Sequence, residues 1–222
     1  MKFGVLRFPG SCDEVDAVLA CERVGEAEVI WHGDDELGDV DAIVVPGGFS
    51  YGDYLRVGAI ARFAPAMERV LEFAAAGGPV LGICNGFQVL CEAGVLPGAL
   101  LPNEGLRFIC RQVDLEVTGT DSAWTSACEP GERLSIPVKH TTGRYFAPAE
   151  MLERVEGEGQ VVLRYAPGEN PNGSVNDIAA VRNEGGNVVG LMPHPEHAVD
   201  PLTGSADGLR LFESAVGALA TA

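Results

Sequence analysis

Short apolar runs alternate with helix-like segments through the first half of the chain, and this alternation restricts the fold more than any other feature. The strand-like runs span 3–8, 27–31, 41–45 and 79–83. Alternation of this kind is typical of βα units, which place their strands in a parallel sheet with helices against it. We therefore predict an α/β fold.

Two helices are expected between these strands. Ser11 followed by Glu14 has the form of a capping box, and the helix that it begins should close near Gly25. The segment 56–76 is also helical in pattern, with Pro65 either dividing it or starting its second part. The apolar face of the first helix, spaced i, i+3 and i+4, would consist of Val15, Val18 and Leu19.

The second half changes pattern. Alternating polar and apolar residues at 103–117 and 133–140 predict antiparallel strands. No repeat, low-complexity tract or linker divides the chain, so we predict one domain over 1–222 with a mixed, mostly parallel sheet. Its remaining elements would be helices at 87–93, 149–155 and 207–219 and strands at 161–166, 177–183 and 187–192.

Composition narrows the class of protein. No apolar run approaches the roughly 18 residues of a membrane span, and the N-terminus has no export signal. The six cysteines are scattered, without a C-x-x-C pair or zinc spacing. We expect a cytoplasmic protein whose cysteines are reduced and which binds no metal.

The charge of the chain restricts its partners. A formal net charge of −17 argues against nucleic acid and against an anionic membrane, both of which would repel this surface. Lysine occurs only at positions 2 and 139. An acidic, lysine-poor surface suggests adaptation to a salt-rich cytoplasm, which predicts that stability rises with salt; an ordinary acidic surface is the alternative.

Cys84 lies where a buried strand runs into a helix. The segment 82–86, Gly-Ile-Cys-Asn-Gly, resembles a nucleophile elbow with sulfur in place of oxygen. A sharp turn strains the central residue, so glycines on both sides relieve crowding. The helix N-terminus favours a thiolate, and the backbone N–H of Asn85 can face a developing oxyanion. A buried structural cysteine is the alternative for this motif alone.

The segment Met192-Pro193-His194-Pro195-Glu196 offers a base for that thiol. Its prolines bias it towards extended backbone, in which positions i and i+2 face the same way. Glu196 could then hydrogen-bond one ring nitrogen of His194 while the other faces Cys84. These three residues are the predicted catalytic triad.

A glycine-rich loop follows the preceding strand. It reads Pro46-Gly47-Gly48-Phe49, and parallel sheets place their sites at the carboxyl ends of their strands. Paired glycines let backbone N–H groups approach a substrate closely, which would complete an oxyanion hole. We therefore predict that Gly47, Gly48 and Phe49 contact substrate, although the segment could be a simple turn.

The motifs P-G-G, G-x-C-x-G-x-Q and H-P-E, in this order, resemble those of the class I glutamine amidotransferases. The resemblance implies a flavodoxin-like fold and L-glutamine as substrate. It implies that Cys84 attacks the side-chain amide, that ammonia leaves, and that water cleaves the γ-glutamyl thioester. His194 would move the protons, Glu196 would orient it, and Gln88 would help to hold the substrate together with the loop and Asn85.

A narrower resemblance is to the glutamine-hydrolysing subunits of phosphoribosylformylglycinamidine synthases. It is carried above all by PGGFSYGD from Pro46, and also by GICNGFQVLCEAGVLPGAL, IPVKHTTGRY and GLMPHPEH. Departures fall at Thr141–Thr142, Ala180 and His197, where that subfamily more usually has Gly-Glu, Gly and Arg. The chain has no phosphate-binding loop of its own. The resemblance therefore implies a large synthetase subunit that binds ATP and magnesium, and a small third subunit.

Two kinds of alternative stay open at this point. The chain could be the glutaminase subunit of another amidotransferase or a γ-glutamyl hydrolase of similar fold. The PGGFSYGD loop argues against both. The chain could also be a non-catalytic regulatory subunit of the same fold, against which the intact Cys84, His194 and Glu196 argue.

Overall fold

The computed structural model describes residues 1–220. Within them the chain forms a large sheet, a small two-stranded sheet and five α-helices. The strands are β1 (Lys2–Arg7), β2 (Glu26–Trp31), β3 (Ala42–Val45), β4 (Val80–Ile83), β5 (Ala99–Leu101), β6 (Ile109–Val117), β7 (Arg133–His140), β8 (Arg144–Phe146), β9 (Val161–Tyr165), β10 (Ile178–Arg182) and β11 (Val188–Leu191). The helices are α1 (Glu14–Cys21), α2 (Pro65–Ala75), α3 (Asn85–Glu92), α4 (Ala149–Gly157) and α5 (Leu209–Ala220).

The large sheet has nine strands in the order β2-β1-β3-β4-β11-β10-β9-β6-β7. The five from β2 to β11 run parallel to one another, and β10, β9, β6 and β7 continue the sheet with antiparallel pairings. The predicted mixed α/β fold is confirmed. The antiparallel pairing of the two alternating segments is confirmed as well, because β6 and β7 pair along their length.

The central parallel strands are buried on both faces, which explains their continuous apolar sequences, whereas the edge strand β2 is mostly exposed or half-buried. Every residue of β3 and β4 is buried, as expected for strands covered by helices on both sides. Helix α1 packs on β1 and β2, and α3 packs on β3, β4 and β11. The paired carboxyl ends of β4 and β11 bring Ile83 opposite Leu191, so the segments that follow these strands emerge side by side.

The prediction for α1 was wrong in two respects. The helix begins at Glu14 with Asp13 as N-cap, because the Ser11 hydroxyl accepts a hydrogen bond from the Phe8 N–H at 2.9 Å instead of capping the helix. The predicted apolar face is also misplaced, since Val15 is 60% exposed. The helix instead presents small side chains to the sheet, which lets it pack closely: Ala17, Ala20 and Cys21.

Other differences concern the bounds of the elements. Residues 56–60 are not helical, and Pro65 begins α2 as its first residue, the position where its missing N–H costs nothing. Residues 103–108 form a loop before β6, and the short strands β5 and β8 were not predicted. Among the helices of residues 1–220, none has the length and apolar character needed to cross a bilayer.

Candidate active site

Cys84 occupies a strained turn between β4 and α3. Its backbone has φ 50° and ψ −102°, which lies outside the regions that L-residues normally adopt. The Cys84 N–H donates to the carbonyl of Leu191 at 2.8 Å and so ties the turn to β11. The predicted sharp turn is confirmed, and strain of this kind persists only where the surroundings enforce it.

The two glycines beside this turn are required by contact with neighbouring elements. A Cβ atom on Gly86 would lie 1.9 Å from the carbonyl oxygen of Val45, and one on Gly82 would lie 2.5 Å from the Leu90 side chain. Only hydrogen atoms fit at these positions. Helix α3 can therefore begin directly against the ends of β3 and β4.

His194 and Glu196 form a buried pair after β11. The Nδ1 atom of His194 lies 2.6 Å from Oε1 of Glu196, and the side chains are 1% and 0% exposed. The predicted contact is present, but the extended segment is not, because residues Pro195–His197 form a turn of 3-10 helix. The turn still brings the carboxylate back to the ring.

The other ring nitrogen of His194, Nε2, is buried and forms no hydrogen bond to a nitrogen or oxygen atom within residues 1–220. Cys84 is close enough to interact with the ring. Burial alone would lower the pKa of His194, but the charges of Glu196 and Cys84 outweigh it and raise that pKa to about 10. The site therefore favours the imidazolium form of His194 in the presence of a Cys84 thiolate.

The glycine-rich loop lies against the segment that follows β1. Gly48 forms an isolated antiparallel bridge with Ser11, and the Phe49 N–H donates to the carbonyl of Gly10 at 2.8 Å. The N–H of Gly48 has no acceptor in the described chain. Gly48, with φ 143°, therefore offers a free donor beside the first turn of α3, whose own N–H groups lack helical acceptors.

Asn85 and Gln88 connect this loop to a second one. The Asn85 side chain accepts from the Ser50 N–H at 3.0 Å and donates to Gln88 at 2.9 Å. Gln88 in turn donates to the carbonyl of Thr142. Two of the predicted substrate-contacting residues, Asn85 and Gln88, are thus joined in one hydrogen-bonded chain that runs from Ser50 to Thr142.

A cavity of about 450 Å³, open to solvent, lies over Cys84. This volume includes open solvent at the mouth of the cavity, so the enclosed part is smaller. Two of the loop residues predicted to contact substrate, Gly48 and Phe49, line it, as does Gln88. The other lining residues are Cys12, Asp13, Asp53, Val57, Cys84, Phe108, Lys139, His140, Thr141 and Thr142.

Asp13 is a central residue of the site that sequence reasoning missed. Its Oδ2 lies 3.7 Å from Nδ1 of His194, and its Oδ1 pairs with Lys139 and lies 3.4 Å from Nε2 of His197. Burial opposes ionisation, yet these partners hold the pKa of Asp13 well below its usual range. One carboxylate thus bridges the candidate base and a lysine.

Asp13 also contacts the glycine-rich loop. Its N–H donates to the carbonyl of Gly47 at 3.3 Å, and a Cβ atom on Gly47 would lie 2.4 Å from its Oδ2. Lys139 continues the connection, because its carbonyl lies 3.9 Å from Sγ of Cys84. The only sequence signal was position, since Asp13 follows β1 at the active edge of the sheet.

Four side chains of this cluster place possible metal ligands within 4.8 Å of one another: Asp13, His194, Glu196 and His197. Their charges are already compensated by protein contacts. Lys139 is bound to Asp13, and Glu196 hydrogen-bonds His194. Lys139 and His194 thus place positive charge beside the two carboxylates of the cluster.

His140 is a buried residue of the cavity wall. Its Nδ1 lies 3.0 Å from Oδ1 of Asn103, and burial together with the charge of His194 lowers the pKa of His140 to about 4. A neutral, hydrogen-bonded histidine is what a structural role requires.

Comparison with known proteins identifies the family. Residues 1–216 match the family profile of the CobB/CobQ-like glutamine amidotransferase domain. The chain is 60% identical to "Phosphoribosylformylglycinamidine synthase subunit PurQ" of Rubrobacter xylanophilus, covering 96% of this chain and 97% of that protein. It is 61% identical to the protein of that name from Mycolicibacterium paratuberculosis, covering 96% and 95% of the two chains.

Among solved structures, the chain is similar to one in the structure of PurLQS from Thermotoga maritima. The TM-score is 0.90 and the identity 45%, over 98% of each chain. The chain belongs to the family of CobB/CobQ-like glutamine amidotransferase domains.

Proposed function

We propose that this chain is the glutamine-hydrolysing subunit of a phosphoribosylformylglycinamidine synthase. It would supply ammonia for the ATP-dependent conversion of formylglycinamide ribonucleotide to formylglycinamidine ribonucleotide in purine biosynthesis. The observation that carries the proposal is the buried His194–Glu196 pair beside the strained Cys84, in a chain 60% identical to PurQ proteins over nearly its full length.

In the proposed reaction the thiolate of Cys84 attacks the side-chain carbonyl carbon of L-glutamine. The carbonyl electrons move to oxygen, and the imidazolium of His194 protonates the amide nitrogen as the C–N bond breaks. Ammonia leaves and a γ-glutamyl thioester remains on Cys84. Neutral His194 then takes a proton from water, which attacks the thioester and releases glutamate.

The backbone N–H groups of Gly48 and Asn85 are the proposed oxyanion donors. The first has no acceptor within residues 1–220, and the second lies at the N-terminus of α3, where helical acceptors are lacking. Gly47, Phe49 and Gln88 would shape the pocket around the substrate. Asp13 would act as a positioning residue, because it contacts the ring of His194 and the loop at Gly47.

The partner in this proposal is a large synthetase subunit that binds ATP and magnesium, with a small third subunit in the complex. The similarity to a chain of the Thermotoga maritima PurLQS structure supports a synthetase partner. The reaction would take place in the cytoplasm, where a catalytic thiol stays reduced. The described cysteines are all unpaired, as this chemistry requires.

The test combines the chain with a candidate synthetase subunit, ATP and either glutamine or ammonium. Cys84→Ala should abolish glutamine-dependent product and leave ammonium-dependent product intact, because only the ammonia source is removed. The matched control is Cys110→Ala, which changes an exposed cysteine outside the cavity and should retain both activities. Glutamine-dependent product from a folded Cys84→Ala variant would contradict the proposal.

A further inference from the structure

The cavity over Cys84 has an unbalanced negative charge. Apart from Cys84, whose charge is matched by His194, three of its lining side chains are charged at neutral pH, namely Asp13, Asp53 and Lys139. His140 also lines it but is held neutral by burial and by the charge of His194, which lower its pKa to about 4. The lining therefore has one carboxylate more than it has ammonium groups, and a ligand with a positive charge would balance it.

Asp13 and Lys139 satisfy each other. Their side chains form an ion pair, and Asp13 is further engaged by His197 and His194. Asp53, by contrast, forms no ion pair within residues 1–220. Its Oδ1 is buried there and has no hydrogen-bond partner. A buried carboxylate oxygen without a partner is costly, so the unsatisfied charge of the cavity resides on Asp53.

The loop that presents Asp53 is strained and anchored. Tyr51 and Asp53 have φ values of 52° and 54°, and a non-glycine residue such as tyrosine adopts this conformation only at a cost. Two hydrogen bonds hold the loop in place. The Tyr51 N–H donates to the Pro9 carbonyl at 2.7 Å, and the Ser50 N–H donates to the Asn85 side chain at 3.0 Å. The loop is therefore a fixed part of the cavity wall, and it holds Asp53 in a defined position.

A glutamine molecule carries one cation, its α-ammonium group. When the amide carbon faces Cys84, three carbons separate it from that nitrogen, and the α-ammonium lies away from the thiol within the same cavity. We propose that Asp53 binds the α-ammonium group of the substrate and so selects amides of L-α-amino acids. This inference rests on the proposed function and adds a specificity-determining residue to it.

The protonation behaviour of Asp53 is consistent with such a partner. Burial raises the pKa of the free carboxyl group, because the charged form is poorly solvated in the cavity. A bound ammonium would compensate that cost, as a protein cation does at Asp13.

The experiment compares two reagents that alkylate the same thiol. 6-Diazo-5-oxo-L-norleucine carries the α-ammonium and α-carboxylate of glutamine, whereas iodoacetamide carries neither. The rate at which each modifies Cys84 in the full chain is followed by mass spectrometry of the Cys84 peptide. The variants are Asp53→Asn and Asp53→Glu, with Asp35→Asn as the matched loss of an exposed carboxylate outside the cavity.

We expect Asp53→Asn to slow modification by the glutamine analogue about tenfold or more, the size typical of a lost charged hydrogen bond. Modification by iodoacetamide should change less than about twofold, because nothing in that reagent needs the carboxylate. Asp53→Glu should retain more of the preference for the analogue than Asp53→Asn, and Asp35→Asn should behave as the parent chain.

Two outcomes would overturn the inference. Equal slowing of both reagents by Asp53→Asn would show that the carboxylate acts on the thiol or on the loop, and unchanged rates would show that it binds no part of the analogue. Failure of the proposed function is a different result, in which the analogue does not modify Cys84 of the parent chain while iodoacetamide does.

Discussion

Replacing Asp13 by asparagine tests whether a second carboxylate acts on the candidate base. The change keeps the size of the side chain and removes its charge. In the parent chain, Oδ2 of Asp13 lies 3.7 Å from Nδ1 of His194, in addition to the closer contact of Glu196 at 2.6 Å. Loss of that charge should lower the pKa of His194, because the imidazolium form loses an attractive neighbour.

The magnitude follows from the distance. Two unit charges about 4 Å apart interact by about 4 kcal/mol at an effective dielectric constant of about 20, which corresponds to about 3 on the pKa scale. That value is an upper limit, since the His194 ring keeps its contact with Glu196 and the surrounding groups relax. We therefore expect the pKa of His194 to fall by about 1 to 3 from its parent value of about 10.

The assay is the pH dependence of kcat/KM for glutamine hydrolysis in the complex with the synthetase subunit. The proposed mechanism needs the imidazolium form to protonate the leaving nitrogen, so activity falls as pH rises through the pKa of His194. Asp13→Asn should move this alkaline limb to lower pH by at least about 1. NMR titration of the His194 ring gives the same quantity independently of turnover.

The control is Asp35→Asn, which removes an exposed carboxylate from the surface. It should leave the alkaline limb in place. A folded Asp13→Asn chain with an unmoved limb and an unmoved His194 titration would refute the reasoning. If activity is lower at every pH but the alkaline limb of kcat/KM does not move, Asp13 acts only by positioning the glycine-rich loop through its contact with Gly47.

Gly86→Ala should destabilise the chain by about 1–3 kcal/mol or more and lower glutaminase activity at least about 100-fold, because its Cβ would lie 1.9 Å from the Val45 carbonyl oxygen. Urea unfolding measures the first effect and glutamine turnover the second. The control is Gly105→Ala, whose Cβ would extend into open space. The contribution of His140 to the free energy of unfolding should fall by about 1.6 kcal/mol between pH 6.5 and pH 5. Folded His140 stays neutral, with its pKa lowered to about 4, whereas the unfolded chain binds the proton near pH 6.5. The same decrease in a His140→Gln variant would assign it to other groups. Unfolding free energy should also rise with added salt, because a net charge of −17 repels itself less when screened; a chain most stable at low salt would contradict adaptation to a salt-rich cytoplasm.

Local sequence was sufficient for most of the sheet and for the turn at Cys84. The parallel strands are continuous apolar runs bounded by turn residues, and such runs are buried whatever their neighbours. The elbow was predictable because strain and crowding are local: Gly82 and Gly86 flank the thiol in the sequence and touch the adjacent backbone in the structure. The buried face of α1 was not predictable from local sequence, because it depends on how the helix packs on the sheet.

The partnership of Cys84 with His194 was predictable for a topological reason. Both follow strands that end at the same edge of a parallel sheet, and β4 and β11 prove to be neighbours. Glu196 was expected on extended backbone and instead reaches the ring through a turn of 3-10 helix. Sequence spacing limited which residues could meet, but it did not determine the backbone path between them.

What the sequence by itself determined is the set of reactive groups and the sheet edge at which they gather, because both depend on short-range patterns. Only the tertiary structure decided how their charges are compensated. Asp13 meets Lys139 across 126 positions of sequence, whereas Asp53 lines the same cavity without a partner. Whether a buried carboxylate is paired or left for a ligand depends on contacts between distant segments, and no local pattern encodes it.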